Sequence, residues 1–161
     1  EMMTVLVYPV DHWFSHLLID ALLIEGYEVR GLSEFYDQTS DEPNDRMESV
    51  HLQFGRNANF ALLDEFPTQK FSHALFIEKQ IDIERANGIF VTSQPKVDPQ
   101  VNVKTISVHF DKEEGRETNA KEDLPLAKKY AQWIARHGLS DFYPDYICLY
   151  ETEPENSIYM I

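Results

Sequence analysis

The chain has 161 residues, a mass of 18.8 kDa and a hydrophobic content of 43%, which suffices for one domain with an ordinary buried core. Its 28 acidic residues outnumber 14 basic residues, so the formal net charge is -14. That charge disfavours direct binding to nucleic acid or to anionic lipid surfaces, and no apolar run of about 18 residues is present to span a bilayer. We therefore expect one domain, residues 1–161, whose macromolecular partners are proteins.

Two features of the sequence favour a cytoplasmic location. The start, Glu1-Met2-Met3, has no basic region followed by an apolar run and a small-residue cleavage site, so no secretory signal is expected. Cys148 is the only cysteine, and it lies within the apolar run from Tyr146 to Tyr150. A buried, unreactive thiol is the simplest interpretation.

The first 32 residues predict a strand, a helix and a second strand. Residues 4–8 are rich in Val, as in a strand that is covered on both faces. Apolar residues then recur at helical spacing over residues 12–25, with Asp11 as the expected N-cap and Gly26 after the last turn. Residues 27–32 predict the second strand. Such a unit is expected to form a right-handed parallel crossover.

The remainder of the chain alternates between helices and strands. Residues 33–48 contain six acidic residues and Pro43, which predicts a solvated loop or flap. Residues 57–66 predict a helix. The later elements are strands at 71–77, 88–93, 103–110 and 146–150, a charged loop at 111–123, a helix at 124–137 closed by Gly138, and an edge strand at 158–161. This alternation predicts an α/β layered fold.

The segment "HLLIDALLIEGYEVRGL", residues 16–32, resembles the first helix and second strand of the short-chain dehydrogenase/reductase superfamily. The resemblance is to its extended and atypical members, such as sugar-nucleotide epimerases and NmrA-like regulators. Residues 86–95, 102–110 and 126–151 are similar, in order and spacing, to the family's fourth strand, fifth strand and sixth-strand unit. The resemblance implies a doubly wound, mainly parallel, Rossmann-like sheet with helices on both faces.

The family's three loop glycines fall on Pro9, His12 and Ser15. A glycine loop lets the backbone approach a pyrophosphate and offers free N–H groups at a helix N-terminus. Pro9 lacks an N–H and His12 adds an imidazole, so both substitutions obstruct that chemistry. The resemblance therefore implies no resident cofactor: NAD is disfavoured, and NADP more so, because the acidic residues after the second strand would repel its 2′-phosphate.

The family's catalytic residues also have no counterparts in this placement. The catalytic serine or threonine, just after the fifth strand, would fall near Phe110 or Asp111. The Tyr-x-x-x-Lys pair would lie at the start of the last long helix, where Lys128 is present but no tyrosine precedes it by four residues. The resemblance thus implies a fold without the family's catalytic groups, and we lean towards a protein that is not an enzyme.

The residues around the first helix allow two other kinds of site. A reassigned crevice could bind a small molecule through His12, with Asp11 and Ser33 as further contacts. Separately, His12, His16 and Asp20 have the spacing i, i+4 and i+8, and two histidines four residues apart on a helix can chelate zinc or nickel. No glutamate completes a His-Glu-x-x-His motif. We therefore expect no metal.

Three functions remain open from the sequence. The first is a non-catalytic domain that acts in protein–protein interaction or regulation, and the second is a small-molecule or nucleotide sensor or enzyme that uses the crevice near His12. The third is an acidic protein that imitates nucleic acid. The adjacent aromatic residues Trp13 and Phe14 could anchor a partner, although burial in the core is the commoner outcome. Self-association is a further possibility.

Overall fold

A computed structural model of the chain describes residues 3–34, 45–81, 87–93, 104–108, 124–142, 145–149 and 158–160. Strands form mainly where short runs of β-branched and aromatic residues can pack on both faces of a sheet. The elements in chain order are β1 (Thr4–Tyr8), α1 (Trp13–Ile24), β2 (Glu28–Leu32), α2 (Asp45–Phe54), β3 (Phe60–Leu63), β4 (His73–Ile77), β5 (Asn87–Thr92), β6 (Lys104–Val108), α3 (Leu124–Trp133), β7 (Tyr146–Leu149) and β8 (Ile158–Met160).

The described strands form a single sheet in the order β3-β2-β1-β4-β5-β6-β7-β8. Every neighbouring pair from β3 to β7 is parallel, and β8 pairs antiparallel with β7 at one edge. The predicted doubly wound, mainly parallel α/β fold of Rossmann type is therefore confirmed. The strand order reverses between β1 and β4, and ligands of such sheets bind in the crevice beyond the carboxyl ends of the strands at that point.

The three described helices all pack on one face of the sheet, in a single core cluster. Strand side chains alternate between the two faces, so the other face carries a second buried cluster, made of Leu6, Tyr8, Leu32, Phe71, Ala74, Phe76 and Phe90. Cys148 is buried, as predicted. By the same alternation Cys148 shares this second face with the buried residues Thr92, Thr105 and Ser107.

Helices α1 and α3 contact each other directly, and a side-chain hydrogen bond of 2.7 Å joins Arg136 to Glu25. The β1–α1–β2 connection steps towards one edge of the sheet, whereas the β6–α3–β7 connection steps towards the other. Because both helices lie on the same face, the two crossovers have opposite hands, although almost all such connections are right-handed. Their packing joins the two halves of the sheet.

Helix α1 ends as predicted, whereas α3 ends differently. Gly26 has a φ of 92°, the left-handed conformation expected of a glycine after the last turn. The last turn of α3 widens into a π-helical segment, Ile134–Gly138. Gly138 does not close this helix through a left-handed conformation. It lies against the sheet, where an added Cβ would be 3.1 Å from Cδ1 of Ile106.

Two sequence predictions were wrong between β2 and β4. Residues 57–66 do not form a helix: they contain a turn and the strand β3. Helix α2 instead begins at Asp45, inside the segment predicted to be a loop or flap. The additional strand also shifts the family comparison by one, so the segments at 86–95 and 102–110 provide the fifth and sixth strands and the last unit provides the seventh. The loop predicted at 111–123 lies outside the described residues.

Candidate functional site

The loop between β1 and α1 folds onto β2. The Tyr8–Pro9 peptide bond is cis. The backbone N–H of Val10 donates to the carbonyl of Leu32 at 2.9 Å, which ties the loop to the end of β2. The Val10 side chain is fully buried against Gly31, where an added Cβ would lie only 2.3 Å from Cγ2 of Val10. An apolar side chain of the protein thus occupies the space beside the second strand.

The N-terminus of α1 is capped by His12. Its backbone is extended, with φ of -73° and ψ of 142°, and its Nδ1 accepts a hydrogen bond from the backbone N–H of Phe14 at 3.1 Å. The predicted N-cap, Asp11, was therefore wrong by one residue. The buried hydroxyl of Ser15 donates to the carbonyl of Pro9 at 2.7 Å and closes the turn from inside. A glycine loop would leave this space and these donors to a phosphate.

The three loop positions Pro9, His12 and Ser15 are thus brought together, and each contributes to a turn that the chain closes with its own atoms. The resemblance implied that this loop had lost its phosphate-binding chemistry. In the structure the helix N-terminus already has an imidazole acceptor, and the loop interior is filled by side chains.

Asp11 and Ser33 lie on the neighbouring loops at the carboxyl edge of the sheet. Asp11 is only 5% exposed, and its Oδ1 accepts the backbone N–H of Glu34 at 3.4 Å. Ser33 is half-buried and directly precedes Glu34. The carboxylate of Glu34 forms an ion pair with Lys79, which follows β4. This pair spans from the end of β2 to the end of β4, across the intervening strand β1.

A second group of polar contacts lies at the ends of β4 and β5. Glu78 follows β4 with a φ of 65°, a left-handed conformation that is uncommon for a residue with a side chain. Its Oε2 accepts the hydroxyl of Thr92 at 3.1 Å, and its Oε1 accepts both the backbone N–H and the hydroxyl of Ser93, the latter at 3.0 Å. Glu78 therefore fastens the end of β5 to that of β4.

Because β3 adds a strand to the count, the position that the resemblance implies for a catalytic serine or threonine changes. The position just after the fifth strand is Ser93, instead of Phe110 or Asp111, so a hydroxyl is present there. The Tyr-x-x-x-Lys pair would then fall between β5 and β6. The ten residues of that segment, "QPKVDPQVNV", contain no tyrosine. Sequence reasoning missed Ser93 because the third strand was assigned as a helix.

The candidate metal ligands are not brought together as proposed. His12 lies outside α1, so the i, i+4 spacing to His16 does not place the two rings on one helical face. The His16 ring packs edge-on against the Phe54 ring, with 6.2 Å between the ring centroids. Asp20 is exposed. Among the residues that the structure describes, no three His, Cys, Asp or Glu side chains are grouped to hold a metal ion.

The aromatic pair at the start of α1 is divided between core and surface. Phe14 is 3% exposed and belongs to the helix-side core, whereas Trp13 is partly buried against that core and meets Phe14 edge-on at 5.5 Å. The His12 ring lies 5.8 Å from the indole. Trp13 therefore offers an aromatic surface next to the candidate site, and Phe14 is structural.

The geometry defines a Rossmann-like α/β domain whose loop between β1 and α1 is closed by its own residues. Compared with protein-family models and with curated proteins, the chain matches none. Within the described ranges, no helix is both long enough and apolar enough to cross a membrane.

Proposed function

We propose that the protein is a non-catalytic Rossmann-like domain that acts in the cytoplasm through protein–protein interaction or regulation. In this proposal it is a degenerate relative of the short-chain dehydrogenases/reductases that has kept the sheet and lost the cofactor and catalytic motifs. The strand order, with its reversal between β1 and β4, supports the relationship. The fold alone does not supply a function, so the proposal depends on the site.

The observation that carries the proposal is the capping of α1 by His12. Dinucleotide-binding domains bind pyrophosphate with free N–H groups at the N-terminus of this helix. Here the Phe14 N–H is bonded to the His12 imidazole, and the preceding turn is filled by Val10 and closed by Ser15. A pyrophosphate would have to displace the imidazole before it could bind.

Calorimetric titration with NAD⁺, NADH, NADP⁺ and NADPH tests the cofactor half of the proposal. We expect no measurable heat of binding up to about millimolar ligand, since the loop offers neither the space nor the donors that a pyrophosphate requires. Micromolar affinity for any of the four would overturn it. His12→Gly, which removes the cap, serves as the comparison, because restored binding in that variant would identify the imidazole as the obstruction.

The interaction half requires a separate measurement. The net charge of -14 favours a basic protein surface over nucleic acid or membrane. Light scattering of the purified protein at several concentrations measures self-association. Native gel filtration of a cell extract measures whether the chain elutes above its own mass of 18.8 kDa. Elution as a monomer in both experiments contradicts this half of the proposal.

A second function, ligand binding in the crevice beyond β1 and β2, is favoured by one specific observation. Asp11, one of the residues expected to contact a ligand there, is a carboxylate that is almost entirely buried. A metabolite screen by thermal shift, repeated with Asp11→Asn, tests this alternative. A ligand whose stabilising shift disappears in the variant supports it, and a screen without any shift rejects it.

A further inference from the structure

The outer surface of the helix layer is divided by charge between α1 and α3. The Asp, Glu, Lys and Arg residues of α1 and its last cap are Asp20 and Glu25, both acidic and exposed. The α3 segment, residues 124–138, has no acidic residue. Its exposed Lys and Arg residues are Lys128, Lys129 and Arg136. In a chain with a net charge of -14, one helix thus presents a basic face beside an acidic neighbour.

The outward face of α1 is also apolar. Trp13, Leu17, Asp20 and Ile24 have the spacing i, i+4, i+7 and i+11, which places them on one side of a helix. Ile24 is 71% exposed, and Trp13 and Leu17 are partly exposed. Single exposed apolar residues are ordinary, whereas an apolar stripe along a helix is the form in which helices pack against another protein surface. The stripe of α1 therefore has the character of a contact face.

The two helices are parallel and held in register. Each joins two parallel strands, so both run from the carboxyl edge of the sheet to its amino edge. The hydrogen bond between Glu25 and Arg136 places these two residues at one level. Asp20 precedes Glu25 by five residues and Lys128 precedes Arg136 by eight, so their levels differ by about 4.5 Å at 1.5 Å per residue. Asp20 and Lys128 form no ion pair within the described part of the chain.

This arrangement is complementary to itself. A two-fold axis that runs parallel to the helices and midway between them places α1 of one copy over α3 of a second copy, and the reverse. Rotation about such an axis leaves the level of each residue unchanged, so Asp20 of one copy lies within reach of the long side chain of Lys128 of the other. The apolar stripe of α1 then covers the outward side of α3, and every contact is formed twice.

We propose that the outward faces of α1 and α3 form a symmetric homodimer interface, in which the acidic α1 of each copy packs on the basic α3 of the other. The apolar stripe of α1 supplies most of the affinity, because exposed ion pairs contribute little on their own. The opposite charges set the register and reject misaligned pairings. The inference deepens the interaction half of the proposed function and rests on it: the basic protein surface favoured by the net charge is the α3 of a second copy.

Sedimentation equilibrium at 150 mM NaCl tests the interface by exchanging its charges. We expect the wild-type protein to dimerise, and Asp20→Lys and Lys128→Glu each to weaken the dimer about tenfold or more, since each places like charges opposite one another at two symmetric contacts. The double variant Asp20→Lys/Lys128→Glu restores opposite charges with their signs exchanged. Its dissociation constant should return to within about threefold of the wild-type value.

Asp64→Lys is the matched control, because it reverses an exposed acid after β3 and changes the net charge by the same amount as Asp20→Lys. Both variants reduce the repulsion between two acidic copies, so a general charge effect would strengthen association in each. Weakening by Asp20→Lys but not by Asp64→Lys supports the interface. Equal effects of the two variants overturn it, as does a double variant that associates no better than the single variants.

A wild-type protein that is monomeric at about 0.5 mM, well above the dissociation constants of specific dimers, also overturns the inference. Gel filtration of the cell extract then separates this failure from that of the proposed function. Elution above 18.8 kDa in the extract, with a monomeric purified protein, means that another protein is the partner and leaves the proposed function standing. Elution as a monomer in the extract as well contradicts the interaction half of that function too.

Discussion

Val10 occupies the position that a side chain on Gly31 would need: Cγ2 of Val10 lies 2.3 Å from an added Cβ. Gly31 is thus required by the loop between β1 and α1, which packs against it through Val10. It has no positive φ, so the requirement is one of space.

Gly31→Ala is expected to destabilise the protein by about 1–3 kcal/mol, because the new methyl group overpacks a fully buried contact. Urea unfolding measures the change. Val10→Ala removes the obstructing methyl groups, so the cost of Gly31→Ala should be clearly smaller in the double variant than in the wild type. If the two effects simply add, the contact between Val10 and the second strand is not the cause.

Removal of the His12 cap gives a second prediction. His12→Ala leaves the Phe14 N–H without the acceptor observed here and should cost about 0.5–2 kcal/mol, whereas His12→Asn supplies a favoured capping oxygen and should restore most of that loss. Chemical denaturation of both variants measures this difference. His51→Ala, in an exposed position on α2, is the control for loss of an imidazole. Equal losses for His12→Ala and His12→Asn would argue against a capping role.

Two substitutions separate the stabilising contacts of the Glu78 carboxylate from the cost of its left-handed backbone. Glu78→Ala removes the acceptor for Thr92 and Ser93 and should destabilise by about 1–3 kcal/mol. Glu78→Gly removes the same contacts but tolerates the φ of 65°, so it should be more stable than the alanine variant by about 1 kcal/mol. Glu65→Ala, at an exposed position after β3, controls for the loss of one acid. Identical stabilities of the Ala and Gly variants would mean that the left-handed backbone is not costly here.

The pH dependence of stability should contain a contribution from His73 at the start of β4. Burial lowers the pKa of this imidazole, and the charge of Lys104 adds to that effect, while a backbone hydrogen bond at Leu139 and the charge of Asp141 oppose it. The folded state thus prefers the neutral ring. The resulting stability is present above the pKa of the unfolded chain, about 6.5, and is lost as the pH falls through the lower folded value.

Urea unfolding at pH 7.5 and at pH 5.5 checks this expectation. Wild-type protein should lose more stability on acidification than His73→Gln, which cannot be protonated. His51→Gln is the control, because its ring is exposed on α2 and the substitution removes the same type of group. A wild-type loss no greater than that of His73→Gln would contradict the assignment.

Most of the sheet could be predicted from the sequence because each buried parallel strand is a short apolar run that can be recognised locally. The runs around Val7, Phe76 and Val91 are short, apolar and bounded by turn residues, and they occupy central strands. The segment of β3 does not have this pattern. It contains helix formers, yet Phe60 enters the core and the carbonyl of Asn59 accepts the N–H of Val29 at 2.8 Å. Tertiary contacts overrode local propensity there.

The candidate site was predicted only in part. Its loop residues could be located because the crossover of β1, α1 and β2 is local. The choice between Asp11 and His12 as the cap was not encoded in residue type, since both side chains can accept an N–H. The pairing of Lys79 with Glu34 and of Glu78 with Ser93 joins loops that only the strand order brings together.

The contact between α1 and α3 has a consequence for the order in which the chain folds. Its hydrogen bond joins Glu25 and Arg136, 111 positions apart, and the buried side chains of α1 share one cluster with those of α3. During synthesis, the apolar face of α1 is made long before its partner helix leaves the ribosome. Such non-local contacts slow folding, and the apolar face of α1 stays without this partner until the last third of the protein has been translated.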